Sequence, residues 1–159
     1  MLLMDFLKNE YDLILLKDWK KLENKTILIT GGNGLLGSNI VSYLQFLNKK
    51  EKLNLKLLVH SFSKPVEWLP QDENIEYFSS NLNESFPKWE FDYLINTATY
   101  GQPKKFLQNK LQTIKLNTET YTKLLELAKV NNATVLHMSS SEVYGQIPDN
   151  KTSVDESYN

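Results

Sequence analysis

The chain has 159 residues, a formal net charge of −1, 41% hydrophobic and 23% charged residues, and no cysteine. That length suffices for one domain with a real core. The charge balance gives no reason to expect nucleic acid, and disulfide and thiolate chemistry are excluded. No apolar run approaches a bilayer span. Residues 1–10 carry Asp5, Lys8 and Glu10 among their apolar positions, unlike a signal peptide. A cytoplasmic protein that meets no membrane is expected, since a chain without cysteine is compatible with a reducing compartment.

Residues 1–22 read as a helical preamble. Leu3, Phe6 and Leu7 have helical spacing, and so do Leu15, Leu16 and Trp19. The expectation is an appended amphipathic segment, residues 1–24, packing on the domain or on a partner. Residues 23–25 are a polar break. Residues 26–30 predict the first strand and residues 35–47 the first helix. Residues 49–53 read as a charged connector and 55–59 as a second strand, apolar along its length as burial on both faces requires. Residues 61–74, with Pro65 and Pro70, read as loop. The third strand is expected at 75–79, an irregular stretch with room for a short helix at 81–90, and the fourth strand at 93–96. After a loop at 100–104 comes one long helix, with Tyr121, Leu124, Leu125 and Ala128 on one face. Asn131 and Asn132 end it. The fifth strand is expected at 135–138, and residues 148–159 read as polar loop.

Strands alternating with helices imply right-handed crossovers and a parallel sheet covered on both faces. The fold class is therefore α/β, a Rossmann-like doubly wound sheet over residues 25–159, preceded by the helical segment. Ligands of such sheets sit outside the carboxyl ends of the strands.

The first of those ends is the most informative. Thr30-Gly31-Gly32-Asn33-Gly34-Leu35-Leu36-Gly37 joins a strand to a helix. Glycines there permit a tight turn, let backbone approach a pyrophosphate, and let helix pack close to strand. Amides of the turn and of the helix start, including those of Leu35 and Leu36, then face the anion. Two registers fit: Gly32, Gly34 and Gly37, or Gly31, Gly34 and Gly37. A dinucleotide is the expected ligand, and no metal is expected.

The other strand ends are less specific. After strand two an acidic group usually takes the ribose hydroxyls, but His60 and Ser61 stand there, followed by Lys64. Neutral His60 or Ser61 can hydrogen-bond a hydroxyl, whereas Lys64 with a protonated His60 favours the extra phosphate of NADP. His60 is equally readable as a polar strand terminus, so NAD and NADP stay open. Asn81, Leu82 and Asn83 are either contacts for the adenine edge or a polar turn. Thr97, Ala98 and Thr99 let backbone run under the nicotinamide ribose. Ser139, Ser140, Ser141 and Glu142 place hydroxyls beside a carboxylate. They can polarise a substrate oxygen and move a proton, or simply cap a helix.

Taken together, residues 30–37, Ala98, Asn117 in the long helix and residues 139–145 resemble the extended short-chain dehydrogenase/reductase family. Residues 98–103 and 138–145 are most similar to the UDP-glucuronate decarboxylases and nucleotide-sugar 4,6-dehydratases. The resemblance implies an NAD cofactor, with NADP open, and a nucleotide-sugar substrate. Ser140 would polarise the sugar C4 oxygen and Glu142 would transfer protons, with Ser141 supporting them. It further implies a homodimeric parent working in polysaccharide synthesis. Two departures stand out. His60 replaces the expected acid. The family's Tyr-x-x-x-Lys pair is absent from its place after strand five; the only such spacing, Tyr100 to Lys104, contains Gly101 and Pro103. The chain therefore reads as the N-terminal portion of a longer enzyme. The alternative is a non-catalytic dinucleotide-binding module that uses residues 1–22 to contact a partner.

Overall fold

The computed structural model describes residues 3–14, 18–147 and 153–158. The expectations for Leu15, Leu16, residues 148–152 and Asn159 lie outside them. Five strands form one parallel sheet: β1 Thr26–Thr30, β2 Lys56–Ser61, β3 Ile75–Ser79, β4 Tyr93–Asn96 and β5 Thr134–His137, in the order β3-β2-β1-β4-β5. The order reverses direction at β1, so the crevice between β1 and β4 is the topological switch point.

Two helices flank the sheet because its central strands are apolar on both faces. Ile27, Ile29, Leu57 and Val59 point to one side, where α3 (Leu35–Glu51) contributes Val41, Leu44 and Leu47. Leu28, Leu58 and Leu94 point to the other, against Leu124 and Ala128 of α6 (Tyr121–Val130), with Trp89 and Phe91 filling between. The alternation follows from the two-residue period of a strand.

Several boundaries differ from expectation. α3 runs four residues past Leu47 to Glu51, since Asn48, Lys49, Lys50 and Glu51 extend the helix without apolar periodicity. Its lysines sit at the helix C-terminus, where the dipole favours cations. β2 is shifted towards the C-terminus and takes in His60 and Ser61. β5 begins at Thr134 and ends at His137. No helix forms in 81–90, where Asn81 makes a turn instead. The expected long helix is three pieces and a π turn: α4 Pro103–Gln108, α5 Lys110–Lys115, the π turn Leu116–Thr120, then α6.

The preamble contains α1 Leu3–Phe6, α2 Lys8–Asp12 and a 3₁₀ turn Trp19–Leu22. Tyr11 is buried, its ring 5.3 Å from Tyr43 and 5.6 Å from Phe46 of α3. The Leu3 amide donates to the Trp68 carbonyl at 2.9 Å. The segment thus lies along the outer face of α3. Among the described residues, no helix is long and apolar enough to cross a membrane.

Candidate functional site: a glycine cradle at the sheet's carboxyl edge

The register brings the glycine turn to the switch point. Thr30 pairs with His60 on one side and Asn96 on the other. Gly31 therefore leaves the sheet between Ser61 and Thr97. Its φ is +79°, and a Cβ there would lie 2.7 Å from the Thr97 carbonyl carbon and oxygen. Only glycine combines that dihedral with that approach. A Cβ on Gly37 would come within 2.2 Å of the Gly31 carbonyl oxygen, so the first turn of α3 rests directly on the loop. A Cβ on Gly32 would come within 2.2 Å of Val59 Cγ1, so close approach constrains Gly31, Gly32 and Gly37 alike and both registers stay open.

Gly34 caps α3 without a side-chain bond, in extended backbone. The first intrahelical bond is made by the Ser38 amide to the Gly34 carbonyl, at 2.9 Å. The amides of Leu35, Leu36 and Gly37 precede it and so lack an acceptor within the helix. They form, with the helix dipole, an anion-binding end. A side chain at Gly34 would meet only the Gly31 carbonyl, at 3.2 Å.

Hydrogen bonds around the cradle hold its shape. The Thr97 amide and hydroxyl both donate to the Thr30 carbonyl, at 3.0 and 2.7 Å. The Thr30 hydroxyl donates to Asn96 Oδ1, and the Ala98 amide reaches the same oxygen at 3.4 Å. Asn33, between the glycines, ties the cradle to the loop after β2. Its amide donates to Ser61 Oγ at 3.0 Å, and its Nδ2 reaches Ser63 Oγ at 3.0 Å and the Lys64 carbonyl at 2.8 Å. Sequence reasoning missed Asn33 and Asn96 as organisers. The available signal was an amide residue inside the glycine run and another closing a strand.

His60 is not a free strand terminus. It lies within β2, 2% exposed, edge-on to Trp89 with ring centroids 5.7 Å apart. Its Nε2 is 3.0 Å from Ser80 Oγ, while Nδ1 is buried without a partner among the described residues. Desolvation holds its pKa below the ordinary value. A protonated His60 beside Lys64 is thereby disfavoured. Ser61 is buried too, with its oxygen accepting from Asn33.

At the end of β3, Asn81 closes a turn: its Oδ1 accepts the Asn83 amide at 3.1 Å and its Nδ2 donates to Glu84 at 2.7 Å. Leu82 is buried in the core under α6. Asn83 accepts from Thr120 Oγ1 at 2.6 Å. Beyond β4, Thr99 Oγ1 receives Asn117 Nδ2 at 3.2 Å. Asn117 sits in the π turn, which re-aims helix side chains and often marks functional positions.

Beyond β5, Ser139 and Ser140 are exposed. Ser140 Oγ accepts the Glu142 amide at 3.2 Å and caps the 3₁₀ turn Ser141–Tyr144. That bond uses an oxygen lone pair and leaves the hydroxyl proton to donate elsewhere. Glu142 is exposed. The expectation for the Ser141 side chain lies outside what the structure describes. Because Asn96 pairs with His137, the segments after β4 and β5 leave the sheet side by side. Tyr100 is half-buried in the loop before α4, and Lys104 lies exposed inside α4. They do not share a helix.

A doubly wound sheet with a glycine cradle at its switch point defines a dinucleotide-binding α/β protein. The chain belongs to the NAD dependent epimerase/dehydratase family, whose model matches residues 27–159. It is similar to UDP-glucuronic acid decarboxylase 1 of Danio rerio, 32% identical over 124 residues, 77% of this chain and 29% of that one. It is similar also to a probable dTDP-glucose 4,6-dehydratase of Sinorhizobium fredii, 29% identical over 143 residues, 77% of this chain and 40% of that one. Among solved structures it resembles a UDP-N-acetylglucosamine 4-epimerase from Methanobrevibacter ruminantium in complex with UDP-N-acetylmuramic acid. The TM-score is 0.69 at 26% identity, over 86% of this chain and 44% of that one. The chain thus spans less than half the length of these relatives.

Proposed function

We propose that residues 25–159 are the NAD-binding part of an enzyme that remodels a nucleotide-linked sugar by way of its 4-keto form, as a decarboxylase, dehydratase or epimerase. Residues 1–24 are then an extension fixed to α3. The observation that carries the reading is the meeting of Gly31 with the Thr97 backbone, which seats the glycine turn at the switch point directly before α3.

In this reading the amides of Leu35, Leu36 and Gly37 hold the diphosphate. Thr97, Ala98 and Thr99, with Asn117 behind Thr99, line the nicotinamide ribose. Asn81 and Leu82 border the adenine. When bound, NAD supplies the acceptor for the C4 hydride and returns it at the end of the cycle. Ser140 donates a hydrogen bond to the C4 oxygen and polarises it, keeping its own proton. Glu142 moves a proton between substrate and water; a simple C4 epimerase has no need of that step, which favours decarboxylase or dehydratase chemistry. Ser139 and Ser141 support this pair. The likeness to a UDP-glucuronic acid decarboxylase and a probable dTDP-glucose 4,6-dehydratase supports a nucleotide-sugar substrate. We place the parent in the cytoplasm as a homodimer; exposed Leu107, Leu111 and Ile114 on α4 and α5 supply apolar surface for pairing.

Calorimetric titration with NAD tests the reading: saturable one-to-one binding is expected, and a folded chain giving no binding heat over background rejects it. The second reading, a non-catalytic dinucleotide-binding module, is favoured by the separation of Tyr100 from the helix carrying Lys104. Turnover of a nucleotide sugar by the full-length parent excludes it.

A further inference from the structure

The proposed cofactor has one group that distinguishes its two common forms, the 2′-hydroxyl of the adenosine ribose, which NADP carries as a phosphate. A carboxylate at the end of β2 selects the hydroxyl by accepting its hydrogen bond and repelling the phosphate. The chain has no such carboxylate. His60 holds the position and turns inward against Trp89 and Ser80. The following residues, Ser61, Phe62, Ser63, Lys64, Pro65 and Val66, include no acid. Glu67 is the first one beyond them.

What replaces the carboxylate is a set of donors. Asn33 donates to Ser63 Oγ at 3.0 Å and to the Lys64 carbonyl at 2.8 Å, so both residues are fastened beside the cradle. Ser63 uses a lone pair to accept that bond and keeps its proton to donate. The Ser63 carbonyl is held from the other side by Ser79 Oγ at 3.1 Å. Lys64 is exposed, and its ammonium makes no ion pair among the described residues. An exposed hydroxyl with its proton to donate and an unpaired ammonium suit a phosphate, which accepts hydrogen bonds and carries negative charge. A ribose hydroxyl gains no comparable advantage from them.

Resting on the dinucleotide reading above, we infer that this chain does not discriminate against the 2′-phosphate and takes NADP about as readily as NAD, with Lys64 as the counter-charge and Ser63 as the donor. Asn33 is the positioning residue that presents both.

The test is calorimetric titration of the chain with NAD and with NADP, side by side, with circular dichroism as the control for folding. The two dissociation constants are expected to lie within about tenfold of each other. Lys64→Ala is expected to move the NADP-to-NAD ratio about tenfold towards NAD. Ser63→Asp is expected to move it further in the same direction; it restores an acid at an exposed site without burying charge as His60→Asp would. NAD binding more than tenfold tighter than NADP in the wild type overturns the inference while leaving the dinucleotide site intact. A ratio unmoved by Lys64→Ala removes Lys64 from it. A folded chain that binds neither nucleotide refutes the proposed function and this inference together.

Discussion

A side chain at Gly34 meets only the Gly31 carbonyl, at 3.2 Å, and the backbone there is extended, with φ −75° and ψ 169°. Valine adopts that conformation. Gly34→Val therefore separates binding from folding: the cap loses about 1 kcal/mol, while the branched side chain fills the space proposed for the diphosphate. Calorimetry is expected to show no dinucleotide binding by a variant whose circular dichroism is unchanged. Gly37 behaves oppositely. Its Cβ would stand 2.2 Å from the Gly31 oxygen, so Gly37→Ala pushes α3 off the loop. A loss of about 1–3 kcal/mol is expected from overpacking of this kind, read as a lower denaturant midpoint. The glycines were legible in the sequence because their constraint is local. His60 was legible only as a residue type. The apolar run stops at Val59, so a local window ends the strand there; the contact with Trp89 that buries His60 comes from 29 residues further on and has no local signature.

Strand β4 enters the sheet through Asp92, whose carboxylate accepts Lys25 Nζ at 2.9 Å and the Thr26 amide at 2.8 Å. The Lys25 hydrogen bond, then the Thr26 amide, hold its pKa below the ordinary carboxylate value. A carboxylate with a depressed folded pKa stabilises above the unfolded value and loses that contribution as pH falls through the folded one. Stability is accordingly expected to fall below about pH 4, and Asp92→Asn to flatten that part of the profile in urea denaturation across acidic pH. The effect is small, because both side chains are over a third exposed and solvent screens them. The same scale shows where periodicity serves and fails. Tyr121, Leu124 and Ala128 of α6 and all five strands followed from apolar spacing, whereas Leu125 of the expected face is exposed and Leu127 packs against the core in its place. The π turn at Leu116–Thr120 did not, since it shifts the helix phase by one residue through packing that no window of propensities contains. Asn117 was legible through family resemblance, and the turn that points it at Thr99 was not.

At the scale of the molecule, binding and chemistry part company. The cradle, the loop after β2 and the β4 exit form one hydrogen-bonded unit, on which the proposed dinucleotide site rests. A ligand that binds the folded chain alone raises its apparent stability by RT ln(1 + [L]/Kd), about 2.7 kcal/mol at a hundredfold excess over Kd. Turnover needs more. In the proposed reaction, the tyrosine and lysine that the family resemblance implies would sit one turn apart on a helix, so that the ammonium acts on the phenol. Tyr100 lies in the loop before α4 and Lys104 inside it, so this pair does not form that turn. In their proposed roles Ser140 polarises and Glu142 shuttles a proton, and neither role supplies a base at C4. The chain is therefore expected to bind dinucleotide, to gain thermal stability from it, and to convert no nucleotide sugar, with reduced-cofactor absorbance flat over prolonged incubation. In the full-length parent Glu142→Gln is expected to slow turnover on the order of a hundredfold, the range of one positioned proton-transfer group, with cofactor affinity unaltered. Wild-type turnover in that variant takes Glu142 out of the mechanism and leaves it as the first acid of a capped turn.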